Sequence, residues 1–140
     1  MRIGIPLPYS GNFTDNVEQL ADYQQAGLSI VYVAEAYSFD AVSQLGYIAA
    51  KVPGIEIGSD ILPIYTRTPS LLAMTAASLD TISGGRFTLG IGSSGPQVVE
   101  GFHGVRYDAR SGAPATSSRS AARSGAARRC STPAATTASR

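Results

Sequence analysis

The chain has 140 residues, about the length of one domain, with 11 basic residues, 10 acidic residues and one cysteine. A single cysteine cannot form a disulfide within the chain, which argues against a small secreted scaffold held by disulfides. No apolar run approaches the roughly 18 residues of a membrane span, and the first residues predict a strand rather than a signal peptide. We therefore expect a cytoplasmic protein that binds no membrane.

The net charge of +1 is the sum of two unlike segments, which we predict to be separate domains, 1–108 and 109–140. Residues 109–140 hold six arginines, no acidic residue and no large aliphatic or aromatic side chain, whereas residues 1–108 hold 5 basic and 10 acidic residues. A segment without large apolar side chains has almost nothing to bury against the entropy of ordering it, so the sequence predicts a disordered tail. Cys130 lies in this tail and is interpreted as incidental.

Three interpretations of the tail are open. It is a solvated linker, an arginine-rich arm for nucleic acid, or the product of a shifted reading frame. No aromatic residue interleaves the arginines, so we do not expect nucleic-acid binding. Ala, Arg, Gly, Pro, Ser and Thr are what GC-rich DNA encodes when read out of frame, and codons can be chosen so that a neighbouring frame encodes an amphipathic helix. We favour the frameshift hypothesis, which the DNA sequence across codon 109 tests.

Within residues 1–108, four apolar runs recur at intervals of about 25–30 residues and predict strands at 3–7, 30–34, 55–62 and 87–91. Patterns of helical period lie between them. Asn12 or Thr14 caps the first predicted helix, Asp40 the second and Thr68 the third, and the third ends at Gly84. A short fourth helix is predicted near residues 97–102.

This alternation predicts an α/β fold with a parallel sheet, because strands covered by helices on their faces read as continuous apolar runs. Right-handed crossovers of this kind build either an open doubly wound sheet or a barrel. A complete (β/α)8 barrel needs about 250 residues. If the parent fold is a barrel, this chain contains its first half, about four βα units.

Ligands of such folds bind at the carboxyl ends of the strands. The segment Gly90-Ile91-Gly92-Ser93-Ser94-Gly95, followed by Gln97, comes at the end of the fourth predicted strand. Glycines let the backbone approach a ligand closely, and free N–H groups at a helix start attract phosphate. The spacing is not that of a dinucleotide fingerprint, and an ordinary strand–helix turn is the alternative interpretation.

Two carboxylates also lie at predicted strand ends. Glu35 is either an acid–base group at the mouth of the fold or a structural acceptor of backbone or arginine hydrogen bonds. Asp60 interrupts a buried strand, which calls for a bulge or for a partner such as Arg67. His103 is the only histidine, so we expect no histidine-rich metal site and interpret it as a surface or hydrogen-bonded histidine.

Several segments together resemble the luciferase-like monooxygenase superfamily, most of all its deazaflavin-dependent oxidoreductases. The turn Ser83-Gly84-Gly85-Arg86-Phe87 before Leu89-Gly90-Ile91-Gly92 is the most specific of them. The others, in chain order, are Val33-Ala34-Glu35-Ala36-Tyr37, Phe39-Asp40-Ala41, Ile57-Gly58-Ser59, Ile61-Leu62-Pro63, Arg67-Thr68-Pro69, then Ala73-Met74 with Ala76, Leu79-Asp80, Ser94-Gly95-Pro96-Gln97-Val98-Val99-Glu100-Gly101 and Gly104-Val105. The resemblance covers residues 1 to about 108.

The resemblance implies a TIM-type barrel that holds coenzyme F420, or alternatively FMN, at its carboxyl-end mouth. It places a bulge with a non-prolyl cis peptide behind the coenzyme ring at Ser59-Asp60. It assigns the coenzyme phosphate to Gly92, Ser93, Ser94 and Gln97. It places Glu35, which ends strand two, near the reacting ring; Ala36 stands where many relatives carry histidine.

The expected function is therefore that of a flavin- or F420-dependent oxidoreductase in truncated form. It acts on a small organic substrate by hydride transfer or by activating dioxygen, with Glu35 handling the proton. The alternatives are a non-catalytic half barrel and a phosphate-binding module. Because a half barrel leaves open sheet edges, pairing of two copies through those edges is also expected.

Overall fold

The computed structural model describes residues 1–108, so the predicted disorder of the tail, with Cys130, lies outside the described residues. Short strands and α-helices alternate along this part of the chain, as the apolar runs predict. The strands are β1 (Ile3–Pro6), β2 (Leu28–Val33), β3 (Glu56–Ser59), β4 (Leu62–Pro63), β5 (Phe87–Thr88) and β6 (Ile91–Gly92). The α-helices are α1 (Phe13–Gln25), α2 (Ala41–Lys51) and α3 (Pro69–Ser83), and a short π-helix, Gln97–Phe102, ends the series.

Side-chain caps fix where the helices begin. The carboxylate of Asp40 accepts a hydrogen bond from the Ser43 N–H at 2.7 Å, and the Thr68 hydroxyl accepts one from the Leu71 N–H at 3.2 Å. Of the two residues expected to cap α1, Asn12 does so, since its side chain accepts from the Thr14 N–H. These bonds satisfy amide groups that have no partner within the helix.

The four-stranded sheet has the order β1-β2-β3-β5, and all its pairs are parallel. Because the order follows the sequence without reversal, the sheet has no switch point of the doubly wound kind. Sequential parallel strands with helices on one side are typical of part of a barrel. The prediction of an α/β fold with a parallel sheet is confirmed.

The core lies between the sheet and the three α-helices. It is built from aliphatic side chains that are almost fully buried, and each helix contributes those on its inner face. The central members are Leu20 of α1, Leu45 and Ile48 of α2, Leu79 of α3, and Val31, Val33 and Ile57 of the strands. This packing fixes the carboxyl ends of the strands, on which the candidate site is built.

The third and fourth predicted strands are each broken in two. The breaks face each other: β3 pairs with β5, β4 pairs with β6, and a cis peptide bond joins Asp60 to Ile61 between β3 and β4. At this point a methyl group on Gly90 would lie 2.0 Å from the Ser59 carbonyl oxygen. Only glycine allows the two backbones to approach this closely, and the ladder is interrupted there.

Within residues 1–108, β1 and β5 each have a single strand neighbour and form the two edges of the four-stranded sheet. Pairing of two copies through these edges stays a prediction. None of the helices in the same range combines the length and the apolar character that crossing a bilayer requires.

Candidate active site

The candidate site lies where the parallel strands end. The loops after β2, β3 and β6 leave the sheet at the same edge, because parallel strands present their carboxyl ends together. Hydrogen bonds link these ends: the Asp60 N–H donates to the Val33 carbonyl at 2.8 Å, and the Ile64 N–H donates to the Gly92 carbonyl at 2.9 Å. All the predicted site residues therefore lie on one end of the fold.

Glu35 is held by an arginine rather than left free. Its two carboxylate oxygens accept hydrogen bonds from the two terminal nitrogens of Arg67, at 2.6 and 2.8 Å. The Ala41 N–H, in the first turn of α2, donates to the same carboxylate at 3.1 Å. Both side chains of the pair are about 10% exposed. These contacts favour the structural interpretation of Glu35, a carboxylate that ties α2 and the start of α3 to the end of β2.

Arg67 does not partner Asp60, and that expectation is wrong. Its second contact is with Asp40, 3.4 Å from the guanidinium, so the arginine bridges two carboxylates in the loop after β2. Burial opposes the ionisation of Asp40, but hydrogen bonds from Ser43 and the charge of Arg67 outweigh it, and the pKa of Asp40 lies below its usual range. Instead, Asp60 lies at an irregular break in the strand, which is the other arrangement that the sequence suggested.

Ser59 and Asp60 lie at this break with opposite exposures. The Ser59 side chain is buried, and its hydroxyl donates to the Gly90 carbonyl and accepts from the Gly90 N–H, both at 2.9 Å. Asp60 is exposed. Partial burial, followed by the charge of Asp60, raises the pKa of the Tyr9 hydroxyl. The cis bond is one residue later than the predicted position, between Asp60 and Ile61.

The loop after β6 leaves backbone donors free. No hydrogen bond within residues 1–108 engages the N–H of Ser94, Gly95 or Gln97. Ser94 has a φ of 57°, a left-handed conformation that is uncommon outside glycine. A methyl group at Gly95 would lie 3.0 Å from the Gln97 side-chain oxygen, so a larger residue would fill the loop. This arrangement fits the phosphate role that the sequence predicts.

The break and the loop are in contact, since a methyl group at Gly92 would lie 2.8 Å from Ile61 Cδ1. The structure thus brings Ser59, Asp60 and the segment 90–97 together. His103, at the end of the short helix, is half-buried, and its Nε2 has no hydrogen-bond partner within residues 1–108. The interpretation of His103 as a surface or hydrogen-bonded histidine stays a prediction.

A cavity of about 320 Å³ opens beside this site, at the ends of β1 and β2. The sequence analysis did not assign it. Its walls include the rings of Tyr9, Phe13 and Phe39 and the amides of Asn12 and Gln44, with no charged side chain. The only available signal was that Tyr9 follows the end of β1, where ligands of such folds bind.

The luciferase-like monooxygenase family model matches residues 1–113. The chain belongs to this family. A protein of Mycobacterium tuberculosis, named provisionally as a coenzyme F420-dependent oxidoreductase, is 38% identical over 109 residues, which are 76% of this chain and 31% of that protein. The chain therefore spans about a third of the length of this relative.

Solved structures show the same fold. The coenzyme F420 dependent tetrahydromethanopterin reductase of Methanopyrus kandleri superposes with a TM-score of 0.67 at 25% identity, covering 76% of this chain and 30% of that one. The oxygenating constituent of 3,6-diketocamphane monooxygenase from Pseudomonas putida, in complex with FMN, gives 0.66 at 21% identity, covering 81% and 35%. The fold is that of the first part of a TIM-type barrel, as predicted.

Proposed function

We propose that the protein is an F420-dependent oxidoreductase of the luciferase-like family, with FMN as the alternative coenzyme, and that it acts on a small organic substrate. The observation that carries this proposal is the family match over residues 1–113, together with the F420 dependence in the names of a 38% identical relative and of a solved neighbour. The FMN complex of another neighbour supports the alternative.

The loop after β6 binds the coenzyme phosphate in this proposal. Three N–H groups without a partner in residues 1–108, at Ser94, Gly95 and Gln97, are the donors that an anion requires. Gly92 and Ser93 belong to the same loop, and the Ser93 hydroxyl donates to the Ser94 carbonyl at 3.3 Å, which holds the turn. The loop binds and orients, and the bound coenzyme supplies the redox step.

The break at Ser59 and Asp60 supports the coenzyme ring. Because the Ser59 hydroxyl is used by Gly90, Ser59 contributes the shape of the backbone rather than a free hydroxyl. Asp60, unlike Ser59, is exposed to solvent. A role for Glu35 in proton handling requires that its pair with Arg67 open, since its oxygens accept three hydrogen bonds in the closed pair.

A coenzyme titration of the 140-residue chain tests the proposal, with F420 and FMN as separate probes followed by their own fluorescence. The informative variant is Gln97→Glu, which places a negative charge at the loop. We expect it to weaken binding about tenfold, the equivalent of 1.4 kcal/mol. Gln25→Glu adds the same charge at the end of α1, away from the loop, and is expected to leave binding unchanged. Failure of both coenzymes to bind would overturn the proposal.

A second candidate is a coenzyme-binding half barrel without activity. It is favoured by one observation: the chain covers 31% of the F420-dependent relative, so most of that relative's loops have no counterpart in the matched segment. Binding together with consumption of reduced coenzyme in the presence of dioxygen or substrate supports the enzyme. Binding without consumption supports the second candidate.

A further inference from the structure

The cavity of about 320 Å³ lies between the ends of β1 and β2 and the first turns of α1 and α2. We call it the β1–β2 cavity. None of the residues assigned to the coenzyme, Ser59, Asp60 and the segment 90–97, lines it. Its volume falls in the range of pockets that hold small organic ligands. The carboxyl end of the sheet therefore has a second ligand-sized space beside the proposed coenzyme site.

Hydrogen bonds hold the loop from β1 to α1, which forms one side of the β1–β2 cavity. The Leu7 N–H donates to the Tyr32 carbonyl at 2.7 Å, and the Asn16 side-chain Nδ2 donates to the Ser10 carbonyl at 3.0 Å. Gly11 in the same loop has a φ of 89°, a backbone conformation that favours glycine. Because the loop is bonded at both of its ends, the shape of the cavity exists before a ligand binds, which reduces the entropy lost on binding.

The wall of the β1–β2 cavity combines aromatic rings with unused polar groups. Tyr9, Phe13 and Phe39 supply the rings, and Tyr9 and Phe39 are 63% and 72% exposed, so they are open to a ligand. Among residues 1–108, neither the Tyr9 hydroxyl nor the side-chain amide of Gln44 has a hydrogen-bond partner. Partial burial and the charge of Asp60 raise the pKa of Tyr9, which favours the neutral hydroxyl, the form that donates.

Two asparagines add a further donor and a further acceptor to this wall. The Asn12 side-chain oxygen accepts from the Thr14 N–H and hydroxyl, and its Nδ2 has no partner in the described part of the chain. Asn16 is the reverse case, because its Nδ2 is bonded to Ser10 and its Oδ1 is left over. A planar group with a carbonyl oxygen satisfies the free donors of the wall, and an amide satisfies the free acceptor as well.

The surroundings of the β1–β2 cavity disfavour a charged ligand. No charged side chain lines it. The carboxylates that follow its wall residues in the chain, Glu35 and Asp40, share the single guanidinium of Arg67, so an anion would meet an excess of negative charge and a cation would find no free ion-pair partner. The start of α2 does not attract an anion either, because the N–H groups of Ala41 and Ser43 already donate to these two carboxylates.

We propose that the β1–β2 cavity is the binding site for an uncharged aromatic carbonyl compound, and that this is the substrate class of the oxidoreductase. The ligand ring packs against the aromatic side chains, and its carbonyl oxygen accepts from the free donors of the wall. The cavity adjoins the break that supports the coenzyme ring, since the carbonyl of Val33, a wall residue, accepts from the Asp60 N–H at 2.8 Å. The assignment as a substrate rests on the proposed function, whereas the binding itself needs no coenzyme.

Titration of the isotope-labelled 140-residue chain with benzamide, followed by the NMR shifts of its backbone amides, tests the binding without coenzyme. Benzoate is the matched probe, because it has nearly the same shape and carries a negative charge. We expect benzamide to shift the amides of Phe13, Asn16 and Gln44, and to bind about tenfold more tightly than benzoate.

Two variants test the wall residues. Gln44→Glu keeps the size of the side chain and places a charge in the cavity wall, and we expect it to weaken benzamide binding about fivefold. Tyr9→Phe keeps the ring and removes the hydroxyl, and we expect a loss of about threefold. The matched control is Gln25→Glu, which adds the same charge at the end of α1 and should change binding by less than about twofold. Circular dichroism of each variant should match that of the unchanged chain.

The proposal is overturned if benzamide does not bind or if its shifts lie away from the cavity. Benzoate binding as tight as that of benzamide also overturns it, because the site would then be one for anions. Equal effects of Gln44→Glu and Gln25→Glu on benzamide binding contradict the assigned wall. If the chain binds benzamide but neither F420 nor FMN, the proposed function fails and the substrate assignment fails with it, while the binding site stands.

Discussion

Two half-buried arginines lie at opposite ends of the parallel sheet and have different kinds of partner. Arg86, just before β5, donates to backbone carbonyls only: to Ser83 at 2.6 Å, to Ala49 at 2.9 Å, to Val52 at 3.3 Å, and to Ile55. Arg67, beyond the carboxyl end of the sheet, binds side-chain carboxylates in the loop after β2.

The different partners of the two arginines indicate different roles, one in stability and the other beside the candidate site. At the amino end, one guanidinium satisfies carbonyls at the ends of α2 and α3 that have no partner within their helices, and its four hydrogen bonds all go to the backbone. At the carboxyl end, the arginine is held by ionisable groups that lie beside the proposed coenzyme site. In barrel folds the carboxyl-end face carries ligands and the opposite face carries stability, and the proposed coenzyme site follows the same division.

The largest effect is expected at the amino end. Arg86→Met keeps the aliphatic stem but leaves several buried carbonyls without a donor, and we expect the free energy of unfolding to fall by about 3 kcal/mol. Urea unfolding followed by circular dichroism measures this. Arg106→Met, at an exposed arginine, is the control and should change stability by less than about 0.5 kcal/mol. Equal effects of the two substitutions would contradict the assigned role of Arg86.

The next effect is expected at the carboxyl end. Glu35→Gln keeps the size of the side chain but leaves the Arg67 guanidinium half-buried without its bidentate partner, and we expect a loss of about 2 kcal/mol. Arg67→Met should cost a similar amount. The double variant should cost clearly less than the sum of the two, because the charge that each single change strands is then absent.

Variants of the Glu35–Arg67 pair also test whether Glu35 is an acid–base group or a positioning residue. If Glu35→Gln leaves urea unfolding unchanged but abolishes consumption of reduced coenzyme, Glu35 is an acid–base group and its contact with Arg67 is incidental. If stability falls and coenzyme binding falls with it, Glu35 is a positioning residue. Replacement of Glu35 by Asp, which keeps the charge but shortens the reach, should restore stability only in part.

Local features of this fold were predictable from the sequence, whereas contacts between distant segments were not. The caps at Asp40 and Thr68 and the glycine at 84 depend on residues within one helical turn, so a short window of sequence contains them. The partner of Arg67 is different. Glu35, Asp40 and Asp60 all follow strand ends, and only the packing of α2 and α3 on the sheet decides which of them the arginine reaches.

The broken strands and the role of Arg86 were missed for the same reason. The break between β3 and β4 depends on Gly90, which lies 31 residues away from Ser59 in the chain. Arg86 belongs to the most specific motif of the sequence, yet its acceptors Ala49 and Ile55 carry no side-chain signal, because they bind it through their carbonyl groups. Backbone acceptors cannot be identified from residue types.

The smallest effect is expected at Asp40, which joins the carboxyl-end arginine to the start of α2. Asp40→Ala removes the cap, and because the side chain is 51% exposed we expect a loss of about 1 kcal/mol at pH 7. The folded pKa of Asp40 lies below the unfolded value of about 3.9, so its contribution is present above that value and disappears as the pH falls through the folded pKa. The free energies of unfolding of the unchanged chain and of Asp40→Ala, both measured with urea, should therefore become equal as the pH falls below about 4. The control is Asp80→Ala, at an exposed carboxylate with no hydrogen bond in residues 1–108, and its effect on the free energy of unfolding should not disappear in this way. If the stability lost in Asp40→Ala were the same at every pH, that result would contradict the lowered pKa of Asp40.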